Sequence, residues 1–310
     1  MQVSVSVNLR AAVEYVLSKR GSDGGYLFYQ YLDMFESSAE DTYFALATLK
    51  ALGVDPPDRE KTVRFLRSRQ LEDGSYRSVE VAYYAVKALS LLGETPTDPE
   101  GAASFLRRSL AQLLARPDLE PTIINEEEQE GDGPLKSKDA TALLTPADMP
   151  SAADEIAMSV VALKALGYDL AGLEEPVASF LLALRKSDGG FGARDVSVES
   201  TYRVLEALHA LNRLPQDLEP TLGYLRRSEN PEGGFSASPY TKSNFIEHLY
   251  FGLTSLRILG AKPNHRAAHI DYVAKCQSEK GGFKRTPLLG IPTIEYTYYA
   301  VASLKELGAI

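Results

Sequence analysis

Acidic residues recur along the chain at one fixed distance from a residue that is typical of a helix end. Each lies 13 residues before a glycine or asparagine; the set is Glu40, Glu80, Asp154, Glu199, Glu247 and Glu295. Three residues after the acid, five of the six copies carry tyrosine, and only the third copy differs, with Ala157; the tyrosines are Tyr43, Tyr83, Tyr202, Tyr250 and Tyr298. Carboxyl groups can donate or accept protons and aromatic faces attract cations, so the repeated pair has chemical potential.

A structural interpretation accounts for most of this set. A carboxylate in the first turn of a helix is favoured by the exposed N–H groups and the helix dipole, by roughly 0.3–1 kcal/mol. Tyrosines at one register are more simply packing residues of a repeat than contacts to a ligand. We therefore expect a chemical role for only one or two of the acids.

The acids and tyrosines belong to a larger repeat that contains two helices. A first helix carrying an aromatic residue runs into a turn such as Asp23-Gly24-Gly25-Tyr26 or Asp188-Gly189-Gly190-Phe191, and a second, Ala- and Tyr-rich helix follows. The second helices end at Gly53, Gly93, Gly167, Asn212, Gly260 and Gly308. Six such hairpins predict an all-α single domain over 1–310, with repeats at about 8–58, 59–98, 99–172, 173–217, 218–264 and 265–310.

The two ends of the chain bear on whether the hairpins form an open or a closed array. Open solenoids need atypical polar caps, but the first and sixth repeats are as regular as the others. We therefore expect a closed (α/α)6 toroid with the first helices outside and the second helices inside. Only the third repeat is irregular: it lacks the Gly-Gly turn and carries a polar insertion at about 118–151, which predicts a solvated loop.

Composition excludes several classes of function. The formal charge of −9 provides no basic surface for nucleic acid, and the single cysteine, Cys276, excludes an intramolecular disulfide framework. No apolar run approaches the roughly 20 residues of a membrane helix, and residues 1–8 do not resemble a signal peptide. A cytoplasmic location is expected.

Two groups of motifs carry a resemblance to known families. Gln70-Leu71-Glu72-Asp73-Gly74-Ser75-Tyr76 resembles the glutamine-and-aromatic repeat of squalene-hopene cyclases, and the Gly-Gly-Phe turns followed by Ser-Val-Glu-Ser-Thr-Tyr at 197–202 resemble the repeats of protein prenyltransferase β subunits. The resemblance spans the chain outside the insertion. It implies the toroid fold and a central apolar cavity that binds an isoprenoid.

The resemblance to the prenyltransferases extends to their metal and diphosphate sites. Glu199 and Thr201 align with the aspartate and cysteine that bind zinc in that family, and His248 aligns with the zinc histidine. Because the cysteine is missing, zinc is not expected. Arg194 and Tyr202 match positions that contact the isoprenoid diphosphate, and Mg²⁺ would accompany such a ligand.

The resemblance to the cyclases concerns the start of an inner helix. Those enzymes begin by protonating an alkene or epoxide through an Asp-any-Asp-Asp-Thr-Ala run, and Ser38-Ala39-Glu40-Asp41-Thr42-Tyr43 is similar to it. Glu40 takes the central acid position, Asp41 is retained, and Ser38 replaces the first aspartate. Such chemistry needs a protonated carboxyl and aromatic faces, which the tyrosines would supply.

Two functions follow from the sequence. The first is an enzyme that transfers or cyclises an isoprenoid, with Glu40, Asp41, Glu199 and His248 as catalytic candidates and Arg194 with the five tyrosines as substrate contacts. The second is a non-catalytic toroid that binds a lipid or a protein partner. His265 and His269 have the i, i+4 spacing of a metal pair, but we expect them to be surface histidines because no third ligand is apparent.

Overall fold

The computed structural model describes residues 7–28, 37–115, 150–193 and 195–310. These residues form twelve α-helices: α1 Leu9–Leu17, α2 Ala39–Ala51, α3 Arg59–Arg67, α4 Val79–Leu91, α5 Pro99–Ala115, α6 Ala152–Ala165, α7 Glu174–Ala183, α8 Val198–Ala210, α9 Glu219–Ser228, α10 Ile246–Ile258, α11 Arg266–Cys276 and α12 Ile294–Glu306. Two short antiparallel strands, β1 Phe235–Ser236 and β2 Asn244–Phe245, precede α10. The predicted all-α class is confirmed. None of the described helices is long and apolar enough to cross a membrane.

Local sequence fixes both ends of the inner, even-numbered helices. Five of them begin at a serine or threonine whose side chain accepts a backbone N–H of the first turn: Ser38, Ser78, Ser151, Ser197 and Thr293. All six residues expected to follow their C-termini have positive φ, including Asn212 at 55°. This left-handed conformation stops a helix and suits glycine or asparagine.

The hairpins follow one another around a ring. Each inner helix contacts the next in the order α2, α4, α6, α8, α10, α12, and α12 contacts α2. The odd-numbered helices pack outside. The sixth repeat also bonds to the first where the Tyr15 hydroxyl donates to the Pro292 carbonyl at 2.6 Å. The expected arrangement of inner and outer helices is therefore confirmed, with contact between the terminal repeats.

The Gly-Gly turns pack tightly against the next hairpin. Gly281 has φ of +91°, and a Cβ there would collide with the carbonyl group of Ala11 in α1. A Cβ at Gly189 would collide in the same way with the carbonyl group of Pro220. Glycine is therefore needed for the close approach as well as for the turn.

A polar side chain just after the outer helix joins each of several hairpins to the following one. Gln70 exchanges hydrogen bonds with both backbone groups of Asp98, at 2.6 and 2.9 Å. Glu229 takes this place in the fifth repeat and accepts the N–H groups of Asn264 and His265. Gln70, the glutamine of the cyclase-like motif, therefore links the second repeat to the third.

The same connection corrects the expectation for His269. Its side chain is fully buried, and the prediction of a surface residue is wrong. Its Nδ1 accepts the Gly234 N–H at 3.0 Å, and its Nε2 lies 3.1 Å from Glu229 Oε1. Both ring nitrogens are used in holding the fifth repeat to the sixth, and none is left for a metal ion.

Candidate functional site

The repeated acids lie at one end of the ring. The inner helices are the second members of successive hairpins and run in the same direction, so their first turns face the same side. In five of these helices the acid is the second residue. Helix α6 begins one residue earlier, so Asp154 is its third residue and accepts the backbone N–H of Ser151 at 2.9 Å. The sequence register therefore located this end of the ring correctly but missed the shift in the third repeat.

The Glu40 carboxyl, at this end of the ring, has a pKa well above its ordinary value. Burial raises its pKa to about 8, and the neighbouring carboxyls of Glu80 and Glu295 add to the effect. A hydrogen bond from the Tyr84 hydroxyl acts in the opposite direction. No ion pair among the described residues includes Glu40. A carboxyl in this state keeps its proton at neutral pH.

Two other carboxyls nearby have pKa values raised in the same direction. Burial and the charge of Glu247 raise the pKa of Glu295 to about 7. Burial, with Glu80 and Asp154, raises the pKa of Glu155 to about 7. Glu155 was missed in the sequence because it lies one position beyond the repeat register.

Two arginines divide the acids into paired and unpaired groups. The Arg203 guanidinium lies 3.0 Å from Glu199 and 3.8 Å from Asp154, with only 16% of the side chain exposed. Arg285 lies 2.6 Å from Glu247. Arg203 was not predicted, although it follows Glu199 by four residues and so lies one helical turn further into the ring.

The centre of the ring is filled by aromatic side chains. The Phe44 and Tyr298 rings stack with centroids 5.2 Å apart, and Tyr202 stacks on Phe251 at 5.1 Å. One pocket among the described residues at this centre has a volume of about 20 Å³, which holds roughly one water. Its lining includes all five predicted tyrosines: Tyr43, Tyr83, Tyr202, Tyr250 and Tyr298.

This pocket is much smaller than the expected central apolar cavity, which stays a prediction. The positions four residues after the acids contribute to the lining of the pocket, together with the tyrosines three residues after them. Those positions hold Phe44, Tyr84, Met158, Arg203, Phe251 and Tyr299, and all but Met158 line the cavity. The lining is also less apolar than expected, since Arg203 and Lys87 are part of it.

The residues aligned with a zinc site do not fit one. The Thr201 hydroxyl, in place of the cysteine, accepts the Phe191 N–H at 3.0 Å; Thr42 and Thr297 do the same for Tyr26 and Phe283. Glu199 is paired with Arg203. No three His, Cys, Asp or Glu side chains in the described ranges are grouped to hold a metal ion.

His248 is buried beside this region. Its Nδ1 has no hydrogen-bond partner among the described residues, and its ring lies 5.3 Å from that of Phe245. Burial and the nearby Arg285 lower its pKa to about 4, so the imidazole is neutral at pH 7. It is chemically available as a hydrogen-bonding group, but no described residues join it in a group of three that could hold a metal ion.

Asp41 and Arg194 are the two remaining residues of the predicted site. Asp41 accepts a hydrogen bond from the Ser38 hydroxyl at 2.7 Å, so its contact is that of a helix cap. Burial raises its pKa to about 6. Arg194 lies outside the described residues, so its predicted role as a diphosphate contact stays a prediction.

The ring of helical hairpins with an acidic end and an aromatic centre defines an alpha-alpha toroid protein. The prenyltransferase alpha-alpha toroid domain family matches residues 1–77, 75–245 and 239–309, and the chain belongs to this family. No curated protein matches the chain in sequence.

Solved structures share this fold at low sequence identity. Candida albicans protein geranylgeranyltransferase-I complexed with GGPP is 17% identical, with a TM-score of 0.66 over 97% of this chain and 91% of that one. A variant of the type II terpene cyclase MstE from Scytonema, in complex with geranylgeranyl dihydroxybenzoate, is 16% identical, with a TM-score of 0.59 over 97% and 96%. A protein from Actinoplanes is 14% identical, with a TM-score of 0.58 over 97% and 98%.

Proposed function

We propose that this chain binds an isoprenoid in the centre of its ring and that Glu40 protonates a carbon–carbon double bond of that ligand. The observation that carries the proposal is the Glu40 carboxyl, whose pKa is raised to about 8 by burial and by the charges of Glu80 and Glu295. A general acid works best when its pKa lies near the working pH, so this carboxyl suits proton donation at pH 7. Its neighbours in sequence also resemble the acid run of the cyclases.

Proton transfer from Glu40 would start the cyclisation of the ligand. The π electrons of the double bond form a C–H bond to the Glu40 proton, which leaves a carboxylate on Glu40 and a carbocation on the second carbon. The π electrons of another double bond then attack this cation, and the last cation loses a proton or adds water. Phe44 lies one helical turn below Glu40 and within 5.6 Å of the Tyr84 and Tyr299 rings, so aromatic faces surround the path of the cation.

The other candidate residues take supporting roles in this proposal. The five tyrosines contact the isoprenoid chain, and Asp41 holds the first turn of α2 through Ser38. Glu199 and His248 lie in the same acidic end, and Arg194 is the proposed contact for a diphosphate, which would bring Mg²⁺ with it. Zinc-dependent prenyl transfer has less support because the Thr201 hydroxyl is engaged by the backbone.

A second function, binding without chemistry, is favoured by the filled centre. Ligand cavities usually measure roughly 300–1,000 Å³, whereas the central cavity measures about 20 Å³. An isoprenoid could enter only if the aromatic side chains moved apart. A toroid that binds a lipid or protein partner elsewhere would not need this opening.

Incubation with farnesyl and geranylgeranyl substrates in D₂O separates the two functions. We expect products in which one deuterium is bonded to carbon, detected by mass spectrometry, and a loss of at least about 100-fold in rate for Glu40→Gln. Glu60→Gln is the matched control, because that side chain is 86% exposed. Binding by calorimetry without any product would favour the non-catalytic function, and an unchanged rate in Glu40→Gln would reject Glu40 as the acid.

A further inference from the structure

One loop of the sixth repeat carries large apolar side chains that are exposed to solvent. It spans residues 284–292, immediately before Thr293, the cap of α12. Leu288, Leu289 and Ile291 are 89%, 74% and 58% exposed. Large apolar side chains grouped on a surface mark a place where something else binds.

Both ends of the 284–292 loop are held at the acidic end of the ring. The Arg285 carbonyl accepts the N–H of the first residue of α10 at 3.0 Å, and the Arg285 guanidinium lies 2.6 Å from Glu247. At the other end, the Pro292 carbonyl accepts the Tyr15 hydroxyl at 2.6 Å. The loop therefore begins and ends beside the first turns of α10 and α12.

The tip of the loop is bonded only within the loop. The Leu289 N–H donates to the Thr286 hydroxyl at 2.9 Å, and the Lys284 ammonium donates to the Pro287 carbonyl at 2.9 Å. Within the described part of the chain, residues 286–291 form no hydrogen bond to any other element. A segment with so few bonds to the rest of a protein can move at low cost.

The fold does not require a loop of this length. One residue separates Tyr76 from the cap Ser78 in the second repeat, whereas nine separate Phe283 from Thr293 in the sixth. The second repeat nevertheless forms the same hairpin. The additional residues, and the leucines among them, are therefore not explained by the packing of the ring.

We propose that the 284–292 loop closes over the acidic end of the ring when an isoprenoid is bound, so that Leu288 and Leu289 contact the hydrocarbon chain. The inference rests on the proposed function, since it assigns the loop to the same ligand. An extended chain covers about 3.3 Å per residue, so Leu289, three residues from Pro292, can reach about 10 Å from that anchor. Six helices packed roughly 8–10 Å apart in a ring place its axis at about the same distance from each helix. The tip is therefore long enough to lie over the acidic end.

Closure would serve the proposed chemistry by excluding water. A carbocation reacts with any water that reaches it, and a loop that closes over a bound substrate prevents this side reaction. Apolar side chains at the tip cover the ligand without offering a group that attacks the cation.

A membrane surface is the alternative partner for exposed leucines. Segments that bind anionic lipids use basic side chains. Both cations of this loop are already bonded within the protein, Arg285 to Glu247 and Lys284 to Pro287. Closure over a ligand of the ring is therefore the favoured interpretation.

The fluorescence of a single tryptophan tests the closure, because the chain contains no tryptophan. Leu289→Trp places the probe at the tip of the loop, and Ile310→Trp places a control probe at the exposed last residue. When farnesol or geranylgeraniol is added, the emission of Leu289→Trp should shift to shorter wavelength. Its quenching by acrylamide should fall at least about threefold, since closure removes the indole from water. Ile310→Trp should show neither change.

The reaction products give a second measurement. The double substitution Leu288→Ser and Leu289→Ser changes only exposed side chains and should allow water to reach the carbocation. We expect hydroxylated products to increase at least about threefold relative to alkenes. Leu71→Ser, at an exposed leucine of the second repeat, is the matched control and should leave the ratio unchanged. An equal ratio in the double variant and wild type would contradict the closure.

The outcomes separate the two proposals. If calorimetry shows that an isoprenoid binds while the emission of Leu289→Trp stays the same, the closure is overturned and the proposed function is not affected. A shift caused by phosphatidylserine vesicles but not by an isoprenoid would assign the loop to a membrane and would also overturn the closure. If no isoprenoid binds to wild type, the proposed function is wrong, and the inference is overturned with it.

Discussion

The side chain of Gln277 forms hydrogen bonds with both backbone groups of Asn8, although 269 residues separate them. The Asn8 N–H donates to Oε1 at 2.8 Å, and Nε2 donates to the Asn8 carbonyl at 2.8 Å. Gln70 makes the equivalent pair with Asp98 between the second and third repeats. The same pair of hydrogen bonds therefore links the second repeat to the third and the last repeat to the first.

Replacing Gln277 with alanine should lower the free energy of unfolding by about 1–3 kcal/mol, because two hydrogen bonds between the terminal repeats are lost. Urea denaturation measures this quantity. Gln70→Ala is the matched comparison, since it breaks the same kind of connection between adjacent repeats. A change below about 0.3 kcal/mol in Gln277→Ala would show that the contact is not important for stability.

Gly281→Ala should destabilise the protein more than Gly308→Ala. Both glycines have positive φ, at 91° and 60°, which costs an L-residue roughly 1–2 kcal/mol. Only at Gly281 would the added Cβ collide with the backbone of Ala11, whereas no atom lies within 4 Å at Gly308. Thermal and urea unfolding of the two variants give the comparison; equal losses would mean that the turn does not pack against α1 as described.

The stability of the protein should fall as pH rises from about 5 to 8. Burial and two nearby carboxyls raise the pKa of Glu40 to about 8 in the folded state, from an ordinary value of 4.5. Between these values the folded state binds more protons than the unfolded state, so unfolding becomes easier as pH increases. Glu295, with a pKa of about 7, acts in the same direction.

Glu40→Gln should remove part of this dependence. The variant should be more stable than wild type at pH 8 by at least about 1 kcal/mol, and the difference should shrink toward pH 5, since one pKa unit corresponds to about 1.4 kcal/mol. Denaturation curves across this pH range measure the difference. A constant difference at all pH values would contradict the raised pKa.

Thr201→Val should destabilise the fold by about 1–3 kcal/mol, because the buried N–H of Phe191 loses its acceptor. Thr201→Ser keeps the hydroxyl and should lose less. Both are measured by chemical denaturation. If valine were tolerated as well as serine, the hydroxyl would not have the structural role that explains its place at the aligned cysteine position.

Local sequence was sufficient for the repeat, the helices and the acidic end of the ring. Helix ends are set by caps and by left-handed residues within a few positions, as at Ser38 and Gly53. The 13-residue register located the first-turn acids because identical hairpins place equivalent residues at equivalent heights.

Only the tertiary structure decided what those residues face. The pKa of Glu40 depends on Glu80 and Glu295, which come from neighbouring repeats, and on burial that the ring creates. Lys87 meets Glu206 across α6, and Phe44 meets Tyr298 where the sixth repeat contacts the first. Each of these two contacts joins residues more than 100 positions apart in the sequence. Their separation in the sequence does not predict that they lie close together in space. The aromatic packing at the centre depends on the same kind of contact, because side chains from the inner helices of different repeats meet there.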